Sequence, residues 1–288
     1  MYDNAPVHDE IAFSNTDMNF TSAARQNFYT ILHQPESSIN LAEAALYIAQ
    51  EEYPDLDVEE YLNALNTMAM EVQERLGSET YPLRIIHKIN QYLYEDLDFQ
   101  GENYDDPRNS FLNDVIERRR GIPLTLSIVY LEIAKRIEFP MVGIGMPGHF
   151  LIQPDQNAME IFVDPFQRGE ILFAEDCQQK LNAIYGKSMP FRAEFLAPVG
   201  PLQILARMLT NLKHIYLKQR DIDKTLAAID RILLVFPEAS RELRDRGFLY
   251  HQMERWAEAK RDLELYLTKN PRLEDIMLVR RLLEQIPP

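Results

Sequence analysis

The chain has 288 residues, 46% hydrophobic and 26% charged, which suits a globular protein with one large core or two modest ones. Its longest apolar runs, such as Ile128 to Leu131, are too short to span a bilayer, and the acidic start MYDNAPVHDE lacks the basic and apolar regions of a secretory signal. A single cysteine, Cys177, excludes an intrachain disulfide framework, and the net charge of −15 is concentrated in residues 1–197, where 14 Lys+Arg face 32 Asp+Glu. Such a surface repels a phosphate backbone, so the expectation is a cytoplasmic protein with no membrane segment and no nucleic-acid partner.

Residues 1–20 are polar and aperiodic and read as a flexible tail. Apolar positions then recur at helical spacing through Leu41, Ala44, Ala45, Ile48 and Ala49, with Ser38 or Asn40 as the cap. A second helix is expected over Val58–Leu76, capped by Asp57 and closed by Gly77. A third is expected over Pro82–Leu97. Asp98 to Ser110, with Gly101, Pro107 and several Asp and Asn, reads as a loop. An amphipathic helix follows Gly121 and runs to about Ile137. The period then changes: Met141–Ile152 and Glu160–Val163 are expected to be two strands, joined by a turn at Pro154, Asp155, Gln156 and Asn157.

Beyond Pro198 the pattern is helical and repeats itself. Tyr216 and Tyr250, Thr225 and Ala259, Ile229 and Leu263, and Pro237 and Pro271 are each separated by the same 34 positions. That period, with Gly247, Trp256 and a closing proline, is the signature of the tetratricopeptide repeat. Lys213 departs from it, standing where a small residue is usual. A last helix over Glu274–Ile286 would cap the stack. The expected organisation is thus a predominantly helical α+β domain over 21–197 and a helical repeat array over 198–288.

Three motifs carry the chemistry: RRRGIPLTLS at 118–127, PGHF at 147–150 and VDPF at 163–166. They place His149 between strand segments and Asp164 at a strand end, which is the orienting half of a nucleophilic triad. His149 and Asp164 could also supply two metal ligands, but no third His or Cys falls at a usable spacing, and no cofactor is expected.

The segment YDDPRNSFLNDVIERRRGIPLTLSIVYLEIAKRI, the GHF and VDPF motifs after it and AALYIAQEEYPDLDVEEYL before it closely resemble the bacterial SirB-type family. That family couples a transglutaminase-like (papain-like) core, with a small antiparallel sheet, to C-terminal tetratricopeptide repeats. The resemblance implies a Cys-His-Asp triad in which His149 and Asp164 match two members. Counting back from Glu138-Phe139-Pro140 places Pro123 where the cysteine of a G-x-C motif would stand.

Proline suits the first turn of a helix but has nothing that His149 could activate. Thr125 and Ser127 are the nearest replacements; Thr125 would point ~200° away from residue 123, and Ser127 would sit one turn deeper. Cys177 is read as structural. Arg118, Arg119 and Arg120 are either a solvated helix end or an anion clamp beside the cleft, and Asp105, Arg108, Asn109 and Ser110 shape the loop that enters the next helix. The leading expectation is a non-catalytic adaptor that binds a protein or peptide partner, with Tyr216 and Tyr250 in the repeats and the arginines as binding residues. The alternative is a hydrolase or acyl-transferase using His149 and Asp164 with an unconventional nucleophile. Oligomeric state is not legible.

Overall fold

Helix boundaries follow the capping chemistry. In the computed structural model, which describes residues 22–155, 160–186, 189–269 and 271–287, the Ser22 hydroxyl accepts from the Arg25 amide at 3.2 Å and starts α1 (Ala23–Leu32). Asn40, rather than Ser38, caps α2 (Leu41–Gln50) by accepting from the Glu43 amide at 3.2 Å. Asp57 caps α3 (Val58–Leu76) at 3.0 Å, and Gly77, with φ of 55°, ends it. α4 (Pro82–Asn90) begins on its proline and passes into a π turn, Gln91–Asp96, in which Tyr92, Leu93 and Tyr94 are all buried. The expected tail 1–20 and the turn positions Gln156 and Asn157 lie outside the described residues.

The chain divides into two compact units, Phe20–Met208 and Leu209–Pro288. In the first, the segment read as a loop carries a short strand, β1 (Gln100–Gly101), parallel to β2 (Arg120–Gly121). Between them lie a 3-10 turn at Pro107–Asn109 and α5 (Leu112–Arg118), which Arg119 ends in the left-handed region at φ 57°.

α6 (Pro123–Arg136) follows. The expectation of an amphipathic helix fails here: all twelve residues from Pro123 to Ala134 are buried. Helices α2, α3 and α5 cover it on one side and the sheet on the other, so the helix has no water-facing stripe. Its one acid, Glu132, is paired with Arg136 one turn on.

The sheet has five strands in the order β6-β5-β4-β3-β7, all paired antiparallel: β3 (Met141–Ile144), β4 (Leu151–Pro154), β5 (Phe162–Asp164), β6 (Glu170–Leu172) and β7 (Pro198–Val199). The stretch Met141–Ile152, expected as one strand, is therefore two. Pro147 has no amide to give a ladder, and Gly148 adopts φ of 70°, so the backbone reverses and pairs Gly143 with Ile152. α7 (Ala174–Tyr185) packs beside β6, and Cys177 on it joins Ile144, Met146, Leu151, Phe162 and Leu172 in one apolar cluster.

The helices α8 (Pro201–Gln219), α9 (Ile222–Val235), α10 (Ser240–Gln252), α11 (Trp256–Thr268) and α12 (Leu273–Gln285) follow, and the second unit takes up within α8. The repeat signature has a packing cause. A Cβ on Gly247 would stand 2.7 Å from a Leu263 methyl, so only glycine lets α10 and α11 approach this closely. Lys213, where a small residue is usual, is buried and held by Glu242 at 2.7 Å and Asp245 at 2.6 Å on α10. Arg246 bonds Asp262 at 2.6 Å and Asp230 at 2.7 Å, tying α10 to α11 and α9. Arg244 and the Tyr266 hydroxyl meet at Asp275, at 2.7 and 2.8 Å, and tie α12 on.

Asp262 is 1% exposed, so removing Arg246 leaves this buried carboxylate only the longer contact to exposed Arg261 at 3.5 Å. We expect Arg246→Ala to cost about 3–5 kcal/mol of stability. Exposed Lys260→Ala should stay within about 0.5 kcal/mol. Urea unfolding followed by circular dichroism reads both, and equal midpoints would show that the ion pair contributes nothing.

Candidate functional site

Asp164 closes β5, and one of its oxygens caps the turn that follows. Oδ1 accepts the Phe166 and Gln167 amides at 3.0 and 3.3 Å. Oδ2 takes His149 Nε2 at 2.9 Å and Lys180 Nζ at 3.0 Å. The residue is fully buried. Burial by itself pushes the carboxyl upward, but the bonds and charges of His149 and Lys180 outweigh it and hold Asp164 below the usual carboxylate range. Lys180 also reaches Glu170 at 3.2 Å; burial lowers its ammonium, yet the two acids leave it raised.

His149 stands in the β3–β4 turn, where its amide donates to the Met146 carbonyl at 3.1 Å. Among the described residues, Asp164 is the ring's one hydrogen-bond partner, and Phe166 meets the ring edge-on at 6.0 Å. With Nε2 bound to the carboxylate, a neutral ring carries its free lone pair on Nδ1, the nitrogen able to act on another group.

The remaining sequence-expected residues are placed as follows. Pro123 is the first residue of α6 and buried. The Thr125 hydroxyl donates to the Asn109 carbonyl at 2.7 Å and accepts the Ile122 amide at 3.1 Å. Ser127 donates to the Pro123 carbonyl at 2.7 Å. Both hydroxyls are buried and engaged with backbone. Burial, then the neighbouring Asp176, pushes the Cys177 thiol up to about 11, which leaves it protonated at neutral pH.

The three arginines hold the loop beneath them: Arg118 bonds Asn109 at 3.1 Å, Arg119 the Leu97 carbonyl at 3.0 Å, and Arg120 the Asp98 carbonyl at 2.7 Å. Asn109 also bonds the Asn103 carbonyl at 2.9 Å, and Arg108 pairs with Asp106 at 2.7 Å. In the second unit, Tyr216 and Tyr250 are buried at 3% and 7% exposure, so they stand in the packing of the repeats, not on a binding face. Tyr250 lies against Leu226 and Ala259.

Two residues escaped the sequence reading. Lys180 is one more charge on an ordinary amphipathic helix until α7 docks beside β6. Arg207, on α8, donates through Nη2 to the Met146 and His149 carbonyls at 3.1 and 2.7 Å, fixing the turn that carries the histidine. No motif marked either. Among the described residues, no group of three or more His, Cys, Asp or Glu is arranged to hold a metal ion, and no helix is long and apolar enough to cross a membrane.

A lowered folded-state carboxyl stabilises above the unfolded value of ~3.9, and the effect is lost as pH falls through the folded value. Asp164→Asn should therefore cost about 2–3 kcal/mol at pH 7, with the gap to wild type closing below about pH 4. A gap that stays constant across pH 3–7 in thermal melts would remove the charge from this account. The buried thiol should react with Ellman's reagent only after denaturant is added; prompt labelling of the folded chain would show Cys177 accessible.

Comparison with known proteins now adds to this geometry. Residues 59–210 match the transglutaminase-like superfamily, and residues 212–284 match a tetratricopeptide repeat. A UPF0162 protein of Xylella fastidiosa (strain 9a5c) is 35% identical over 255 residues, covering 85% of this chain and 89% of the relative. A UPF0162 protein of Pseudomonas aeruginosa is 29% identical, covering 86% of this chain and 92% of its own. One of Vibrio cholerae is 28% identical, covering 81% and 87%. No solved structure matches the chain significantly. The superfamily match takes in more than half of the sequence and the relatives span most of it: the chain belongs to the transglutaminase-like superfamily, alongside the bacterial UPF0162 proteins.

Proposed function

We propose that this is a non-catalytic interaction protein, regulatory in role and cytoplasmic, of the SirB type. Its transglutaminase-like domain retains the His149–Asp164 pair and lacks the nucleophile, with Pro123 in the position of the cysteine. The observation that carries this reading is the isolation of the His149 ring. Its hydrogen-bond partner is Asp164, while Thr125, Ser127 and Cys177 are each committed elsewhere: two to backbone carbonyls and one to an apolar cluster. A triad without its nucleophile loses most of its rate.

The tetratricopeptide match supports the interaction half, since stacked helix pairs present surfaces to peptides and other proteins. On α12, Leu273 and Met277 are 84% and 73% exposed, apolar surface available to such a partner. A hydrolase or acyl-transferase remains the second reading, on one observation: the His149–Asp164 bond engages Nε2 and leaves Nδ1 available as a general base toward water.

Turnover on the purified full chain separates the two. With p-nitrophenyl esters and a glutaminyl peptide as substrates, we expect product release no faster than in buffer, and the same rate for His149→Ala. A rate above buffer that disappears in His149→Ala would refute the non-catalytic reading and install the second.

A further inference from the structure

Arg207 is a half-buried guanidinium with no acidic partner among the described residues. In a unit so rich in Asp and Glu this is anomalous, because nearly every other buried cation there meets a carboxylate: Arg25 meets Glu51, Arg136 meets Glu132 and Lys180 meets Asp164. Leaving a buried charge uncompensated is costly. Burial indeed lowers the Arg207 guanidinium, and among the described residues no carboxylate offsets it.

The donors are also incompletely used. Nη2 gives its two protons to the Met146 and His149 carbonyls, which leaves Nε–H and both protons of Nη1. Phe150 lies under the guanidinium plane at 5.4 Å and covers one face without taking a proton. Glycines keep the surroundings open. A Cβ on Gly145 would stand 3.6 Å from Nη1, and one on Gly148 would stand 2.9 Å from the Tyr185 hydroxyl. Gly145 thus adds no side chain beside Nη1, and Gly148 admits the tyrosine to the same turn.

We propose that Arg207, with Tyr185 and the Gly145–His149 turn, forms a binding site for a ligand carboxylate, beside His149. A single negative charge matches a single guanidinium, whereas a dianion such as phosphate would meet the acidity of the unit at twice the charge. The carboxylate bonds Nη1, and the bound group lies on the turn whose ring faces Asp164. This goes beyond the interaction reading and does not need it: the site binds whether or not His149 turns anything over.

The test is a titration of the 15N-labelled full chain with N-acetylglycine, with its neutral amide as control, followed through the Arg207 Nε–H and His149 amide signals. A parallel arm uses an N-acetylated tripeptide with a free C-terminus, and another uses inorganic phosphate. We expect saturable shifts with the acid and none with the amide. Binding of the tripeptide tighter than N-acetylglycine would name a peptide C-terminus as the source of the carboxylate, and the reverse would name a small acid. Arg207→Gln should weaken binding at least roughly tenfold. Should that variant fail to fold, the wild-type signals, saturable with the acid and unmoved by the amide, still decide. Equal shifts with acid and amide, no saturation, or tighter binding of phosphate would each overturn the proposal.

Discussion

The structure of the first unit depends on the burial of α6 over its whole circumference. A helix with no face left for water must be enclosed by other elements, and here three helices and the sheet enclose it. Enclosure dictates what its first turn can do. The hydroxyls of Thr125 and Ser127 have no solvent to satisfy them, so each takes a backbone carbonyl. Thr125 thereby fastens the helix start to the loop at Asn109, and Asn109 is fastened in turn by Arg118. Residues that look like candidate nucleophiles in the sequence become fastenings because the helix is dry.

A second constraint is electrostatic. Asp164 carries its charge at full burial because four donors converge on it: two backbone amides, a histidine and a lysine. The backbone amides belong to its own turn, but the side chains come from the β3–β4 turn and from α7. One carboxylate therefore gathers three separate segments of the chain around β5. Tyr130 and Asn90 do the same by neutral bonds, with the Tyr130 hydroxyl 3.1 Å from the Asn90 side chain and that amide 2.8 Å from the Gly169 carbonyl. The loop after Asp164 is thus pinned from both ends, and the geometry of the His149 pair follows.

The second unit uses charge differently. Its packing rests on a common small-residue interface at Gly247 and Ala259, but the helices are further tied by arginine and lysine bonds that run from α8 to α12. Lys213 shows how a departure from the repeat pattern is absorbed: a long cation occupies a small residue's place because two acids on α10 receive it.

The sequence by itself determined the local features. The caps at Asp57 and Gly77 are chemistry between near neighbours, and the 34-residue period marks a unit that recurs, so both are written in the order of residues. The motifs around His149 and Asp164 were legible for the same reason: each sits at a strand end with its own turn signal. Other features were decided only by tertiary structure. α6 reads as amphipathic because an apolar stripe and a dry environment look alike until the covering elements are known. Tyr216 and Tyr250 look like groove aromatics and are core. Lys180 and Arg207 reach the site from helices 16 and 58 positions beyond His149's partner and His149 itself. A long cation on a helix has no preferred partner in sequence; packing brings two carboxylates to Lys180 and, among the described residues, none to Arg207.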